Sequence, residues 1–315
     1  MINSHPYGIT RIDADYVMPG LASVYLMRQG DRLAIVETGA AATVTNILSE
    51  IERQGLTPEH VDFIILTHIH LDHAAGAGEL MRLCPSAKLL VHPRGARHMI
   101  SPGKLEAGTR AVYGDEKYDE LYGALVPVEA ERVIETPEGF SMDFNGRTLS
   151  FLDTPGHALH HVAIHDSLSN GVFTGDTFGL SYRQFDNEAG GYLLFVTTTP
   201  VHFDPDAMRI SIQRIAALKP DTVFFTHYDA VPYSDEMVSE LEASLDAFVA
   251  IARSVRASGA DRETEIAEKI LTWLMEKAQA LKPEMAEASI RRLLAMDARL
   301  NAQGIVVWLD RMSGR

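Results

Sequence analysis

Residues 67–73 read THIHLDH, so three histidines and an aspartate lie almost side by side: His68, His70, Asp72 and His73. The stretch directly follows the apolar run 63–66 (FIIL), which has the character of a buried strand. Packing of a hydrophobic core gives no reason to crowd such groups together, whereas imidazole nitrogens and carboxylates are ligands for zinc and other first-row metals. The motif therefore predicts a metal site where a strand ends.

Three later segments repeat the pattern of an apolar run that ends in a ligand-type residue. They are 151–157 (FLDTPGH), 172–176 (VFTGD) and 223–227 (VFFTH), which end in His157, Asp176 and His227. Each run is rich in the β-branched and aromatic residues of a buried strand. Because ligands at the ends of several strands of one sheet system can converge on a point, we expect these side chains to join the first motif.

In this order, the seven residues resemble the ligand set of the metallo-β-lactamase-fold superfamily, over about residues 7 to 230. Within it, the chain looks most similar to glyoxalase-II-like and related uncharacterised hydrolases. The resemblance implies that His68, His70 and His157 hold one metal, that Asp72, His73 and His227 hold a second, and that Asp176 bridges them. His160 and His161 are expected to support these ligands rather than to bind metal.

The periodicity of the chain fits an α+β fold in which two sheets pack face to face with helices outside, the αββα sandwich of the metallo-β-lactamase type. Residues 1–232 are predicted to form this domain, and residues 233–315 an α-helical C-terminal extension with helices over 234–255, 263–281 and 284–300. The extension could cover the mouth of the site, form a homodimer contact or thicken the core.

Residues 93–130 show no clean periodicity and are predicted to be irregular. They contain several glycines and prolines that punctuate structure, and tyrosines at 113, 118 and 122. A long irregular segment in a compact domain is often functional. Two interpretations of this segment stay open. It could form a lid or a wall of the substrate site, or it could be a surface excursion with packed aromatic residues.

The ligand set suggests two divalent cations, with zinc as the first choice and iron or manganese as alternatives. A bound metal lowers the pKa of water to about 7, so a metal-bridging hydroxide is the expected nucleophile. Asp72 is the candidate catalytic residue, because it could bind one metal and also orient the hydroxide or accept its proton. Substrate contacts are expected from Tyr182, Arg183 and His202, which lie along the chain between Asp176 and His227.

The predicted function is hydrolysis of a small-molecule ester, thioester or lactone at a dinuclear site. One alternative is a metal-binding regulatory protein of the same fold that acts through a partner and has little or no catalytic activity. A further alternative is iron-based redox chemistry at the same site. The ligands alone do not specify the electrophile or the leaving group.

Composition narrows the expected partners and location. The formal charge is −15 with a pI near 5.3, and no cluster of Lys and Arg forms the basic patch that a nucleic-acid surface needs. No apolar run approaches the roughly 18 to 20 residues of a membrane span, and no signal peptide is visible, so we expect a cytoplasmic protein. Cys84 is the single cysteine and is predicted to be a buried, unreactive thiol.

Overall fold

The fold is seen in a computed structural model that describes residues 2–198 and 200–314. The chain divides into two compact units. The first comprises the chain up to Asp153 together with His160–Gly175 and Pro220–Tyr233, and the second comprises Thr154–Leu159, Asp176–Lys219 and the chain from Ser234 onward. The division into a domain of residues 1–232 and an extension of residues 233–315 stays a prediction.

Both sheets belong to the first unit. Over the described residues, seven strands form the first sheet in chain order: β1 (Ile2–His5), β2 (Ile9–Asp13), β3 (Ser23–Gln29), β4 (Arg32–Val36), β5 (Val61–Ile65), β6 (Lys88–Val91) and β7 (Val133–Glu135). The pairs from β1 to β4 are antiparallel, and the pairs from β4 to β7 are parallel. The carboxyl ends of β4, β5 and β6 therefore lie at one edge of the sheet.

Six strands form the second sheet in the same part of the chain: β8 (Ser141–Phe144), β9 (Arg147–Asp153), β10 (Val162–Asp166), β11 (Gly171–Gly175), β12 (Thr222–Phe225) and β13 (Ala230–Pro232). Their order is β13-β12-β11-β10-β9-β8. The pair of β11 and β12 is parallel and the other pairs are antiparallel. The parallel pair brings the carboxyl ends of these two strands together.

Alternation of side chains along the central strands builds two cores. In β4, Ala34 and Val36 face the second sheet, whereas Leu33 and Ile35 face the helices on the other side. Between the sheets, the rings of Tyr25 and Phe173 meet with centroids 5.4 Å apart. A strand buried on both faces reads as a continuous apolar run, which is why these segments are visible in the sequence.

The first unit carries six helices among its described residues, and several of them pack on the outer face of the first sheet. The six helices are α1 (Thr43–Arg53), α2 (Leu71–Ala74), α3 (Ala77–Leu83), α4 (Pro93–Ile100), α5 (Gly103–Tyr113) and α6 (Asp115–Leu121). In α1, Val44, Ile47 and Ile51 recur at helical spacing and pack into the core beneath the sheet.

The second unit is largely helical. Its helices are α7 (Pro205–Ala217), α8 (Asp235–Ser254), α9 (Ala260–Leu281) and α10 (Glu287–Met312). The N-terminus of α7 is capped by Asp204, whose carboxylate accepts hydrogen bonds from the backbone N–H groups of Asp206 and Ala207 at 3.1 and 3.0 Å. The expected two-sheet fold with a helical C-terminal region is confirmed.

Two predictions of local structure were wrong. Residues 93–130 are not irregular but contain α4, α5 and α6, which were missed because the helices are short and α5 has no buried residue. The last helix does not end before Gly304 but continues to Met312. Gly304 is buried in that helix, where packing offsets the roughly 1 kcal/mol by which glycine disfavours a helix.

Cys84 is buried at the end of α3, as predicted. Burial raises the pKa of its thiol to about 12, so the thiol is protonated and unreactive at neutral pH. Among the described residues, no helix combines the length and the apolar character needed to cross a membrane.

Leu149 and Leu168 offer the same substitution in opposite environments of the second sheet. Leu149 is fully buried between the sheets, whereas Leu168, in the turn after β10, is 41% exposed. Leu149→Ala is expected to lower the free energy of unfolding by about 2–5 kcal/mol, because it leaves a cavity in the core. Leu168→Ala should cost about 0.5 kcal/mol or less. Urea unfolding followed by circular dichroism measures both, and equal losses would contradict this core.

Candidate metal centre

The first motif lies in the loop that joins β5 to α2. The backbone N–H of Leu66 donates to the carbonyl of Leu90 at 3.0 Å, and the carbonyl of Thr67 accepts from Val162 at 2.8 Å. The loop is thus fixed to β6 of the first sheet and to β10 of the second. His70 then precedes α2, which carries Asp72 and His73 in its first turn.

His68 lies at the centre of a cluster of imidazoles. It is fully buried, and its Nε2 is 3.0 Å from Nδ1 of His70. Its ring centroid lies 4.0 Å from that of His73 and 4.9 Å from that of His161. His160 accepts a hydrogen bond from the backbone of the same loop, from Ile69 N–H to Nδ1 at 3.4 Å. His160 and His161 thus pack against the motif.

Asp72, His73 and His227 converge in the first unit. One ligand atom from each lies within 4.8 Å of the others. Oδ2 of Asp72 is 3.2 Å from Nε2 of His227 and 3.5 Å from Nε2 of His73. His227 follows β12 after one threonine, so two strand ends that are far apart in sequence supply this trio.

The other ring nitrogens of these histidines face hydrogen-bond acceptors. Nδ1 of His73 lies 3.0 Å from the carboxylate of Glu37, and Nδ1 of His227 lies 3.3 Å from the carbonyl of Leu21. A proton held on Nδ1 leaves the lone pair on Nε2, which is the arrangement that a metal-binding histidine needs. Together with a carboxylate oxygen, the two Nε2 atoms form a donor set that fits a divalent first-row metal.

Glu37 is the functional residue that sequence reasoning missed. It follows β4 directly and is 1% exposed. Its carboxylate accepts hydrogen bonds from the hydroxyl of Thr67, from the backbone N–H of Thr67 at 3.3 Å and from the hydroxyl of Thr226 at 3.2 Å. The available signal was an acidic residue at the end of an apolar strand, the same pattern that identified the other ligands.

These contacts suit Glu37 to support the site rather than to bind metal, although it lies close enough to His68 and His73 to belong to a candidate cluster. An ionised carboxylate has about four lone-pair positions, and four donors, including His73, already point at it. Its backbone adopts φ of +67°, a conformation that non-glycine residues seldom take and that often marks functional sites.

The second unit holds His157 and Asp176 together. Nε2 of His157 is 3.6 Å from Oδ2 of Asp176, and both side chains are buried. Nδ1 of His157 lies 3.3 Å from the carbonyl of Thr197, which again leaves Nε2 as the ligand atom. Gly156, just before His157, has φ of +125°, and a Cβ there would lie 2.3 Å from the Cα of Met208, so a side chain does not fit.

The three expected substrate contacts lie in the second unit. Tyr182 is 6% exposed, and its hydroxyl donates to Oδ2 of Asp297 in α10 at 2.5 Å. Arg183 opens a short 3₁₀ turn, and His202 lies in the loop before α7; both are partly exposed. The contact with Asp297 gives Tyr182 a role in packing, and substrate binding by the three residues stays a prediction.

The chain has a mixed α/β two-sheet fold, and histidines and carboxylates follow the ends of its strands. These two features together are typical of a metal-binding protein. The chain belongs to the metallo-beta-lactamase superfamily, because the model of that family matches residues 17–227. The resemblance drawn from the ligand order is therefore confirmed at the level of the family.

Individual relatives are distant. A metallo-beta-lactamase fold-containing protein of Sulfurisphaera tokodaii is 30% identical over 66% of this chain and 73% of its own length. A hydroxyacylglutathione hydrolase of Aeromonas salmonicida is 26% identical over 65% of this chain, and the match spans 60% of that relative.

Solved structures show the same fold. An archaeal metallo-beta-lactamase superfamily protein from Sulfolobus tokodaii superposes with a TM-score of 0.63 at 26% identity, covering 89% of this chain and all of the other. A metallo-beta-lactamase family protein from Thermus thermophilus superposes with a TM-score of 0.67 over 98% of this chain and 94% of its own, at 18% identity. The similarity to the Thermus thermophilus protein concerns the fold alone.

Glu37→Gln is expected to lower the affinity for zinc by about 10- to 100-fold while the chain stays folded. The amide has a single acceptor oxygen and adds a donor, so it cannot accept from Thr67, Thr226 and His73 together. Competition with a chromophoric chelator measures the affinity. Glu50→Gln is the matched control, since Glu50 is buried in α1 and pairs with Arg53 at 2.6 Å. Equal zinc affinity in the two variants would remove Glu37 from the site.

Proposed function

We propose that this protein is a dinuclear metal-dependent hydrolase of a small-molecule carboxylic ester, thioester or lactone. The convergence of Asp72, His73 and His227, with both Nδ1 atoms turned toward acceptors, carries the proposal. This arrangement has the donor types and ring orientation of a metal site and sits at the edge of a rigid sheet. Membership of the metallo-beta-lactamase superfamily supports the same function.

The ligands are assigned to two metals. Asp72, His73 and His227 would hold one, and His68 and His70 together with His157 would hold the other. Asp176 would bridge them, which its position 3.6 Å from His157 supports. The order of these ligands along the chain, each at a strand end, is the further support. Zinc is the first choice, with iron and manganese as alternatives, because imidazole and carboxylate accept all three.

When bound, two divalent cations would supply a water-derived nucleophile at neutral pH and a Lewis acid for the substrate oxygen. The protein contributes positioning and proton transfer. Asp72 is 20% exposed, against 0% for His73 and 8% for His227, so it is the member of the trio that solvent reaches most readily. We assign to the Asp72 carboxylate the orientation of the attacking water and the acceptance of its proton.

The names of similar proteins help to choose among the possible substrate classes. Several relatives at 25–28% identity are named hydroxyacylglutathione hydrolase, and this name supports a thioester as the first candidate to test. A carboxylic ester and a lactone are the other candidates, because they present the same carbonyl electrophile to the metal centre.

Hydrolysis is tested with zinc-, iron- and manganese-loaded protein on a panel of acyl thioesters, aryl esters, lactones and phosphodiesters. We expect turnover of carbonyl substrates and none of phosphodiesters. His70→Ala should abolish the turnover, since it removes a ligand. Oxygen consumption by the iron-loaded protein in place of hydrolysis would favour redox chemistry. Failure on every substrate, with a protein partner retained by both wild type and His70→Ala, would favour the regulatory alternative.

Asp176→Ala tests the bridging ligand. The variant should lose about one of two bound metal equivalents and most of its turnover, because the carboxylate both binds metal and lowers the net positive charge of the pair. Elemental analysis of the dialysed protein gives the metal content. Asp31→Ala is the control, since the Asp31 side chain is 83% exposed. Full metal content in Asp176→Ala would refute the bridging role.

A further inference from the structure

Three tyrosines meet beside the first motif, and one of them, Tyr16, lies far along the chain from the other two. The hydroxyls of Tyr16 and Tyr122 are 2.9 Å apart, and their rings stack with centroids 6.0 Å apart. Tyr113 meets Tyr122 edge to face, with centroids 5.8 Å apart. We call Tyr16, Tyr113 and Tyr122 the tyrosine wall. Tyr122 is its buried anchor, whereas the other two are partly exposed and can be reached from outside.

The wall is held in place by the junction of α5 and α6. Arg110 donates to Glu106 in its own helix at 3.0 Å and to Asp119 in α6 at 2.8 Å, and its guanidinium lies 4.0 Å from the ring centroid of Tyr118. Tyr118 in turn packs against Tyr122, with centroids 5.5 Å apart. Side chains fixed in this way lose little entropy on binding a ligand, so the wall is preorganised.

The wall packs on the helix that carries Asp72. Leu71 and Ala75, on either side of the α2 residues Asp72 and His73, belong to the same apolar cluster as Tyr122, and Tyr16 and Tyr113 pack against it. The pKa of Tyr113 is consistent with this packing, because burial and, to a smaller extent, the Asp72 carboxylate raise it. Burial together with Tyr16 and Asp72 raises the pKa of Tyr122 as well. These hydroxyls stay protonated at neutral pH and can donate hydrogen bonds.

We propose that the tyrosine wall is the specificity surface of the site and selects a flat aromatic group in the acyl part of the substrate. The inference rests on the proposed hydrolase function and names the substrate class for it. A planar ring gains offset or edge-to-face contacts with the partly exposed rings of Tyr16 and Tyr113, whereas a short aliphatic acyl group has no ring with which to make them. Because the wall adjoins Asp72, an acyl group lying on it places its carbonyl carbon near the metal ligands.

Binding of the product acids tests the wall without requiring turnover. The dissociation constants of phenylacetate and acetate are measured by isothermal titration calorimetry on zinc-loaded protein. The wild type should prefer phenylacetate, and Tyr113→Leu should reduce that preference about three- to tenfold while acetate binding stays the same. Tyr16→Leu should act in the same direction. Tyr118→Phe is the control, because it removes a hydroxyl of the cluster without touching the two exposed rings.

The outcomes separate this inference from the proposed function. The proposal for the tyrosine wall is overturned if the wild type shows no preference for phenylacetate. It is also overturned if the preference survives in both Tyr113→Leu and Tyr16→Leu. The proposed hydrolase function would be unaffected by either result, because turnover of esters or thioesters tests it separately. Selective phenylacetate binding that depends on Tyr113, in a protein that hydrolyses no substrate, keeps the wall as a binding surface and rejects the hydrolase. Circular dichroism and zinc content confirm that each variant is folded, and Tyr113→Phe, which keeps the ring, should retain the preference.

Discussion

The candidate metal centre depends on the buried carboxylate of Glu37. A buried carboxylate is costly unless hydrogen bonds compensate for the lost water, and this one accepts hydrogen bonds from two loops. Thr67 and His73 belong to the loop after β5 and the helix that follows it, and Thr226 to the loop after β12, which carries His227. The hydrogen bonds of one carboxylate therefore fix the positions of candidate ligands that are remote in sequence.

The sheets make this arrangement stiff. Strand β4, which delivers Glu37, is buried on both faces, and β5 is hydrogen-bonded to it in parallel register. A side chain at the end of such a strand has little freedom, because the strand cannot shift without disturbing both cores. The short helix after β5 then turns Asp72 and His73 toward His227 on one side, while Leu71 packs against the tyrosine wall.

Local patterns predicted the parts of the fold that local interactions set. The strands that carry ligands were visible because a strand buried on both faces is a continuous apolar run, as in Phe63 to Leu66. The strands β1, β2, β7, β8 and β13 were missed, since they are short and their identity comes from pairing with neighbours. The helices α5 and α6 were missed because their faces are mostly polar, and Arg110 and the tyrosines hold them together instead.

The sequence by itself determined the ligand chemistry, because imidazole and carboxylate donors are fixed by residue type and their place after apolar runs is a local property. It also determined the superfamily, through the order of those ligands. Only the tertiary structure decided the role of Glu37 and the tyrosine wall. Glu37 meets His73 across 36 residues and Thr226 across 189, and Tyr16 meets Tyr122 across 106. Contacts of that span arise from strand pairing and helix packing, which no local pattern encodes.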